Sequence, residues 1–389
     1  MLRQIHRSDL SRSNQSTPSG GTSWLLPISV AVFWISAGVI LITARCFFSS
    51  SQCTCWGPET GGNFREGGLS SRVLALFLSG ATLALALAVK DVIIARQQPR
   101  LLDIDSMRQK FKLSSAVSVA FGVKIVVGNL AIRHTSVPVY LLFDSLSTAF
   151  VFLAALILLD ERPKMQTEVL PMIGIMFGSA LAVLGKYNIR AEDVGFHDIG
   201  LLSVTLNLCN LGLGGVVVAL LRSKTLHLEE AEMSITELTF LKLIIGSLVV
   251  FPFALTSEGM AMFSLPGMQR TRLWISSAAI IVFEVNLSLI CSLAPALLVG
   301  VVQGIKPVSL YIASWFAGDE GLHEYASTLF WIGTSIILAS AIFFKLLRAS
   351  SRPSEDRTIR RFGDRLNERT PLNERIGYDS DSDSSTFAI

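Results

Sequence analysis

Ten runs of mostly apolar residues, each long enough to cross a lipid bilayer, decide what this chain can become. They fall at about 24–44, 73–95, 113–132, 137–159, 168–185, 198–221, 236–256, 273–292, 295–317 and 326–347. About 20 helical residues rising roughly 1.5 Å each cross a hydrocarbon core of roughly 30 Å. Backbone in lipid must satisfy its own hydrogen bonds, so such runs are expected to be helices. Composition points the same way: 51% of the residues are hydrophobic and 16% charged, where a soluble domain carries about 25% charged residues. The predicted fold is an all-α polytopic membrane protein with ten transmembrane helices at 24–347, flanked by polar tails at 1–23 and 348–389.

Both tails have compositions that cannot bury a core and are expected to be disordered. The C-terminal one carries "YDSDSDSST", which suits an acid-directed kinase as well as it suits a solvated tail. The first apolar run follows a polar tail and precedes "RCFFSSSQCTCW", so a cleaved signal peptide is not expected. Cys46, Cys53 and Cys55 cluster there without a nearby His or a fourth ligand at zinc spacing, which leaves a luminal disulfide or plain loop cysteines. No metal or cofactor is expected.

Positive residues accumulate in cytoplasmic loops. A cytosolic N-terminus puts 21 of the 33 basic residues on the cytosolic side and 8 on the other, with Lys90, Lys124, Lys242 and Lys306 inside spans. An even number of crossings then returns the C-terminus to the cytosol, and the sequon at Asn14 escapes glycosylation.

A repeat is legible at an offset of 159, where Asp160-Glu161 falls on Asp319-Glu320, Ile173-Gly174 on Ile332-Gly333, and Ala180 and Ala182 on Ala339 and Ala341. One acidic turn is then cytosolic and the other luminal. The expectation is two inverted five-helix repeats, about 24–185 and 198–347, with a substrate site at the midplane between them. Small residues at Gly174-x-x-x-Gly178, Gly300-x-x-x-Gly304 and Gly212-x-Gly214-Gly215 are expected to bring helices close.

Ionisable side chains inside spans cost roughly 2.5–3.5 kcal/mol on insertion scales, so they face a cavity or a partner. On the fourth span Tyr140, Asp144 and Ser147 fall at i, i+4 and i+7, on the sixth Ser203, Asn207 and Asn210 do likewise, and on the ninth Gln303, Lys306 and Ser309 stack beside Tyr311. Glu284, Asn286 and Ser288 come from the eighth, Lys124 and Lys242 from the third and seventh. Facing one another, these stripes would line a wet cationic cavity suited to an anionic solute, lysines binding phosphate as point charges and amides and hydroxyls reading a base or sugar. The competing reading pairs Lys306 with Glu284 or Asp144 as a structural ion pair. Intramembrane catalysis finds no support: no acid pair or Ser-Lys or Ser-His pair lies in the spans, and His6, His134, His197, His227 and His323 all fall in tails or loops.

Two stretches carry a resemblance. "NLAIRHTSVPVYLLFDSLSTAFVFLAALILLDERP" with "EVLPMIGIMFGSALAVLGKYNI", and "GIKPVSLYIASWFAGDEGLHEYASTLFWIGTSIILASAIFF", resemble nucleotide-sugar transporters and their triose-phosphate relatives in the drug/metabolite transporter superfamily, over about residues 110–347. The resemblance implies a ten-helix antiporter of the Golgi, alternatively the endoplasmic reticulum, exchanging a cytosolic GDP- or UDP-linked sugar for luminal nucleoside monophosphate, with Lys306 matching the family's ninth-helix lysine. "VPVYLLFDSLS" is similar to the GDP-mannose branch, yet that branch's F-Y-N-N and G-A-L-N-K motifs become "FLKL" at 240–243 and "VQGIK" at 302–306, keeping only Phe240 and Lys306. Many members place a lysine in the fourth helix where this chain has Asp144, and triose-phosphate carriers follow the ninth-helix lysine with arginine where this chain has Pro307. Partners expected are the exchanged solutes and the bilayer, with a homodimer admitted and nucleic acid not. The alternatives are a sugar-phosphate or other organic-anion exchanger, and a receptor or scaffold that has lost transport.

Overall fold

The computed structural model describes residues 25–48, 68–94, 104–135, 137–159, 169–186, 200–228, 233–258, 267–305 and 328–344. Among them the chain is helical, with no strand. In chain order the helices are α1 (Leu25–Phe48), α2 (Gly68–Val89), which runs on into a π-helical turn at Lys90–Ile94, α3 (Ile104–His134), α4 (Val137–Asp144), α5 (Ser147–Leu158) and α6 (Leu170–Lys186). There follow α7 (Leu201–Leu226), α8 (Ile235–Glu258), α9 (Gly267–Leu293), α10 (Ala296–Gly304) and α11 (Thr328–Phe344).

Five helical stretches are long and apolar enough to cross a membrane: Leu69–Ile93, Met107–Ile132, Leu201–Leu226, Ile235–Ser257 and Leu273–Leu293. Shorter apolar helices cover Leu25–Ile40, Leu142–Leu158, Leu170–Gly185 and Thr328–Phe344. The outer surface carries Phe77, Leu85, Ile157, Leu248, Trp274, Trp331 and Ile342, while Ser79, Ser114, Ser118, Asn129, Thr239 and Ser277 are buried. Apolar outside and polar inside is the arrangement of a multi-pass membrane protein, whose helices are solvated by hydrocarbon.

Two expectations about elements need correction. The fourth span is not one helix: it breaks at Ser145-Leu146, where Leu146 N–H turns back to the Phe143 carbonyl (2.8 Å) and Ser145 Oγ donates to the Leu142 carbonyl (2.6 Å). A serine hydroxyl competing for the carbonyl of the preceding turn is a recognised cause of such kinks. Asp144 therefore ends α4 and Ser147 opens α5, so the stripe Tyr140, Asp144, Ser147 is bent in the middle. The third span begins earlier than its apolar run, because "IDSMRQKFK" continues the helix of α3 beyond the hydrocarbon-like part. Lys110, read as a loop residue, is helical and only 3% exposed.

Close packing follows the small residues. A Cβ added at Gly178 on α6 would lie 2.8 Å from the Gly333 carbonyl oxygen of α11, and one at Gly300 on α10 would lie 3.2 Å from Val151 Cγ1 of α5. Thr148 Oγ on α5 donates to the Gly300 carbonyl (3.0 Å), and Gly215 on α7 meets the Phe150 backbone of α5. The principal contacts are α2 with α8, α3 with α8 and α7, α9 with α1 and α2, and α5 with α7 and α10. α7 also packs on α9 and α10.

Candidate functional site

The interior polar residues form three groups at different depths. The first joins α3, α4 and α7. Lys124, half-buried in the middle of α3, lies along α7 so that a Cβ at Gly214 would sit 3.5 Å from its Cε and 3.8 Å from its Nζ. One turn away on each helix, the Asn210 side-chain Oδ1 rests 2.9 Å from where a Gly128 Cβ would be. Glycines on both helices are what let a lysine and an asparagine lie between them. Asn210 Nδ2 donates to the Tyr140 hydroxyl of α4 (3.4 Å), and Tyr140 is within electrostatic reach of the Arg72 guanidinium on α2. Deeper along α7, Asn207 Nδ2 donates to Thr135 Oγ1 (2.8 Å) and to the Ser203 carbonyl (2.8 Å), and the Thr135 and Ser203 hydroxyls are 2.6 Å apart.

Arg72 is the residue that sequence reading missed. The apolar run starts at Val73, which leaves Arg72 outside the span, yet α2 begins at Gly68 and Arg72 is half-buried on its second turn. A further polar side chain escaped notice too: Asn129 on α3 is 1% exposed and neither of its amide atoms has a hydrogen-bond partner among the described residues. An asparagine inside an apolar run was the available signal for it.

The second group joins α8 and α9. Lys242 Nζ meets Glu284 Oε2 at 2.6 Å, with the lysine side chain fully buried. Ser288 Oγ stands 3.5 Å from Lys242 Nζ, donates to the Glu284 carbonyl (2.8 Å) and accepts from Thr239 Oγ1 (3.1 Å). The Phe121 ring of α3 covers the ammonium at 5.5 Å from its centroid. Lys242 and Glu284 were both expected to face solute; they face each other. Lys306, the other partner considered for Glu284, lies outside the described residues. Asn286 is set apart from this pair: two residues along an α-helix is about 200° of rotation, and Asn286 Nδ2 donates to the Val282 carbonyl of its own helix (2.7 Å).

The third group closes the end of the bundle where α7 and α9 finish and α3 and α8 start. Lys110 Nζ contacts Glu237 Oε1 at 2.8 Å, and Glu237 Oε2 accepts from Ser234 N–H (2.6 Å) while Ser234 Oγ accepts from Glu237 N–H (3.1 Å). Ser234 and Glu237 are a capping box, reciprocal donors and acceptors at a helix start. Arg222 Nη1 donates to the carbonyls of Cys291 (2.7 Å) and Ser292 (3.0 Å), and Thr225 Oγ1 also reaches the Cys291 carbonyl (3.3 Å).

Of the residues singled out from spacing, the structure joins Asn210 to Tyr140 and sets Lys124 one helical turn from Asn210 along the α3–α7 contact, with Asn207 further along α7. Asp144 and Ser147 are half-buried at the α4–α5 break, and Gln303 is half-buried near the end of α10. Lys306, Ser309, Tyr311 and both acidic turns lie outside the described residues, as do Cys46, Cys53 and Cys55 as side chains.

No family model matches the chain, and no curated protein matches it either. Solved structures do: 23 chains match, among them a crystal structure with a TM-score of 0.55 at 13% identity, covering 83% of this chain and 99% of that one. At that identity the likeness is one of fold alone.

Proposed function

We propose that the protein is a secondary antiporter that moves a GDP- or UDP-linked sugar from the cytosol into a secretory-pathway lumen, in the Golgi membrane, in exchange for nucleoside monophosphate. The observation that carries this reading is the group around Lys124. A lysine held half-buried in the middle of a membrane-length helix, beside a hydrogen-bonded amide and phenol and with an arginine in electrostatic reach of the phenol, offers what a phosphorylated nucleoside needs: charge for the phosphates and neutral donors and acceptors for sugar or base. Lys306, outside the described residues, is assigned to the same solute by its match to the ninth-helix lysine of the transporters that the sequence resembles.

Packing supports the two inverted halves. Exchanging each span for the one five further on carries the α3–α8 contact into α9–α2, the α3–α7 contact into α9–α1 and the α2–α8 contact into itself. The α5–α7 contact becomes α10–α1, where Trp34 Nε1 donates to the Val302 carbonyl (3.0 Å). A chain folded as two related units of opposite orientation gives such a pattern, and places its solute site between them. The charge distribution puts the Arg222 end, and both termini, on the cytosolic side.

The test is counterflow in proteoliposomes preloaded with GMP, UMP or phosphate, against a panel of nucleotide sugars. Exchange with one nucleotide family is expected, lost in Lys124→Ala and Lys306→Ala while protein yield is kept. No exchange with any nucleotide would sink the reading, and phosphate-driven exchange would move it to the sugar-phosphate class.

A further inference from the structure

The two buried ion pairs differ in which parts of the chain they join. Lys242–Glu284 links α8 to α9, both within residues 198–347, so it holds one half together. Lys110–Glu237 links α3 to α8, one helix from each half, and its side chains are 3% and 9% exposed. When two halves rock about a midplane site, a contact inside one half persists, while a buried contact between them at one end has to part. We propose that Lys110–Glu237 is a latch that shuts the end of the bundle where α3 and α8 begin, and that it must release before solute enters from that side. This rests on the two-halves transporter reading above.

The two helices are arranged for such a movement. They run in the same direction from the latch, and twelve residues beyond Lys110, about 18 Å at roughly 1.5 Å each, they cross at glycines. A Cβ at Gly122 would lie 2.7 Å from Val249 Cβ, and one at Gly246 would lie 2.8 Å from Phe121 Cδ1. Helices that approach this closely at one level have a fixed crossing, and their ends are the parts that can swing. Between crossing and latch, Leu113 and Val117 of α3 share an apolar cluster with Leu238 and Leu241 of α8.

A latch has to close without closing for good, and a buried ion pair suits that task. The cost of taking two charges out of water offsets much of their attraction, and opening returns both to water. Glu237 does not depend on Lys110 alone, because its Oε2 accepts from Ser234 N–H (2.6 Å) at the start of α8. The carboxylate therefore keeps a donor, and the favourable end of the helix dipole, when the lysine leaves. Lys110 is on the second turn of α3, and its flexible stem lets the ammonium reach toward the polar end of the bundle.

Ser114, one turn along α3 from Lys110 and 0% exposed, is the place for a reporter cysteine of nearly its own size. The full chain has Cys46, Cys53, Cys55, Cys209 and Cys291 replaced by serine and carries Ser114→Cys, and a membrane-impermeant maleimide is added to sealed vesicles from either side. Expected is slow labelling in this parent and labelling at least about ten-fold faster in Lys110→Met, from the side on which α3 and α8 begin. Lys110→Met with Glu237→Gln, which keeps the capping box and leaves no orphan charge, should return toward the parent rate. Unchanged labelling in Lys110→Met, or acceleration equal from both sides, would overturn the proposal. A second reporter, Ser247→Cys, is 2% exposed beside the glycine crossing and should stay slow in Lys110→Met. Equal acceleration there would mean a loosened fold, not a latch, and would overturn it too. In the cysteine-free chain, Lys110→Cys and Glu237→Cys joined by a short reducible bis-thiosulfonate linker should stop exchange until the linker is reduced. Exchange continuing through the link would also overturn the latch. The labelling needs no solute: a parent that exchanges no nucleotide sinks the transport reading, whereas unchanged labelling in a chain that does exchange sinks the latch alone.

Discussion

At the scale of single residues, the interior lysines among the described residues differ in burial and in what covers them. Lys242 is fully buried against Glu284 at 2.6 Å, and both ends of the pair would be costly alone. Removing one partner of a buried pair costs about 3–5 kcal/mol, whereas replacing both by apolar groups of similar size is often neutral or stabilising. Lys242→Met is therefore expected to lower the thermal stability of the detergent-purified protein severely, and Lys242→Met with Glu284→Leu to restore most of it. If the single variant is as stable as the parent, the pair is not what holds α8 to α9. Lys124 differs in kind, being half-buried and lying along a glycine. Nothing in residue type or spacing separates these two lysines; both are single charges in apolar runs. What separates them is which helix each faces, and that is decided by tertiary packing.

At the scale of elements, the existence of most helices was legible because an apolar run of 18 or more residues has few alternatives in a chain this hydrophobic. Their ends and breaks were less so. Apolar periodicity has no signal for Ser145 turning back onto Leu142, nor for α3 continuing through nine polar-rich residues before its apolar part. The glycine pattern was the better guide to contacts. Gly178 meets α11 with no room for a methyl group, 2.8 Å from the Gly333 carbonyl oxygen and 2.9 Å from Ile337 Cγ1, while at Gly212 the nearest atom would be Phe150 Cδ1 at 4.0 Å. Overpacking costs typically about 1–3 kcal/mol, and glycine to alanine in an open helix position gains about 0.5–1 kcal/mol. Gly178→Ala is thus expected to lower the melting temperature and Gly212→Ala to hold or raise it. The reverse order would mean that α6 and α11 do not touch in the membrane.

At the scale of the whole molecule, the repeat at an offset of 159 is aligned on two acidic turns that lie outside the described residues, with Ile173-Gly174 over Ile332-Gly333 and Ala180 and Ala182 over Ala339 and Ala341 inside described helices. Support for related halves came instead from which helices pack together, a property no single-sequence alignment contains. The site divides in the same way: Tyr140, Asn207 and Asn210 were legible as polar stripes, while Arg72 hid because its helix starts before its apolar run does. Orientation in the bilayer follows from charge, and it can be read independently of any solute. Arg222, Lys224 and Lys110 gather at the end where α3 and α8 begin, so the orientation proposed from charge predicts segment 229–232 on the cytosolic side and segments 187–199 and 259–266 on the opposite side. Glycosylation sequons built into extended versions of these three segments, expressed in a secretory-pathway membrane, should be modified at the second and third and not at the first. Glycan at 229–232 alone would turn the molecule over.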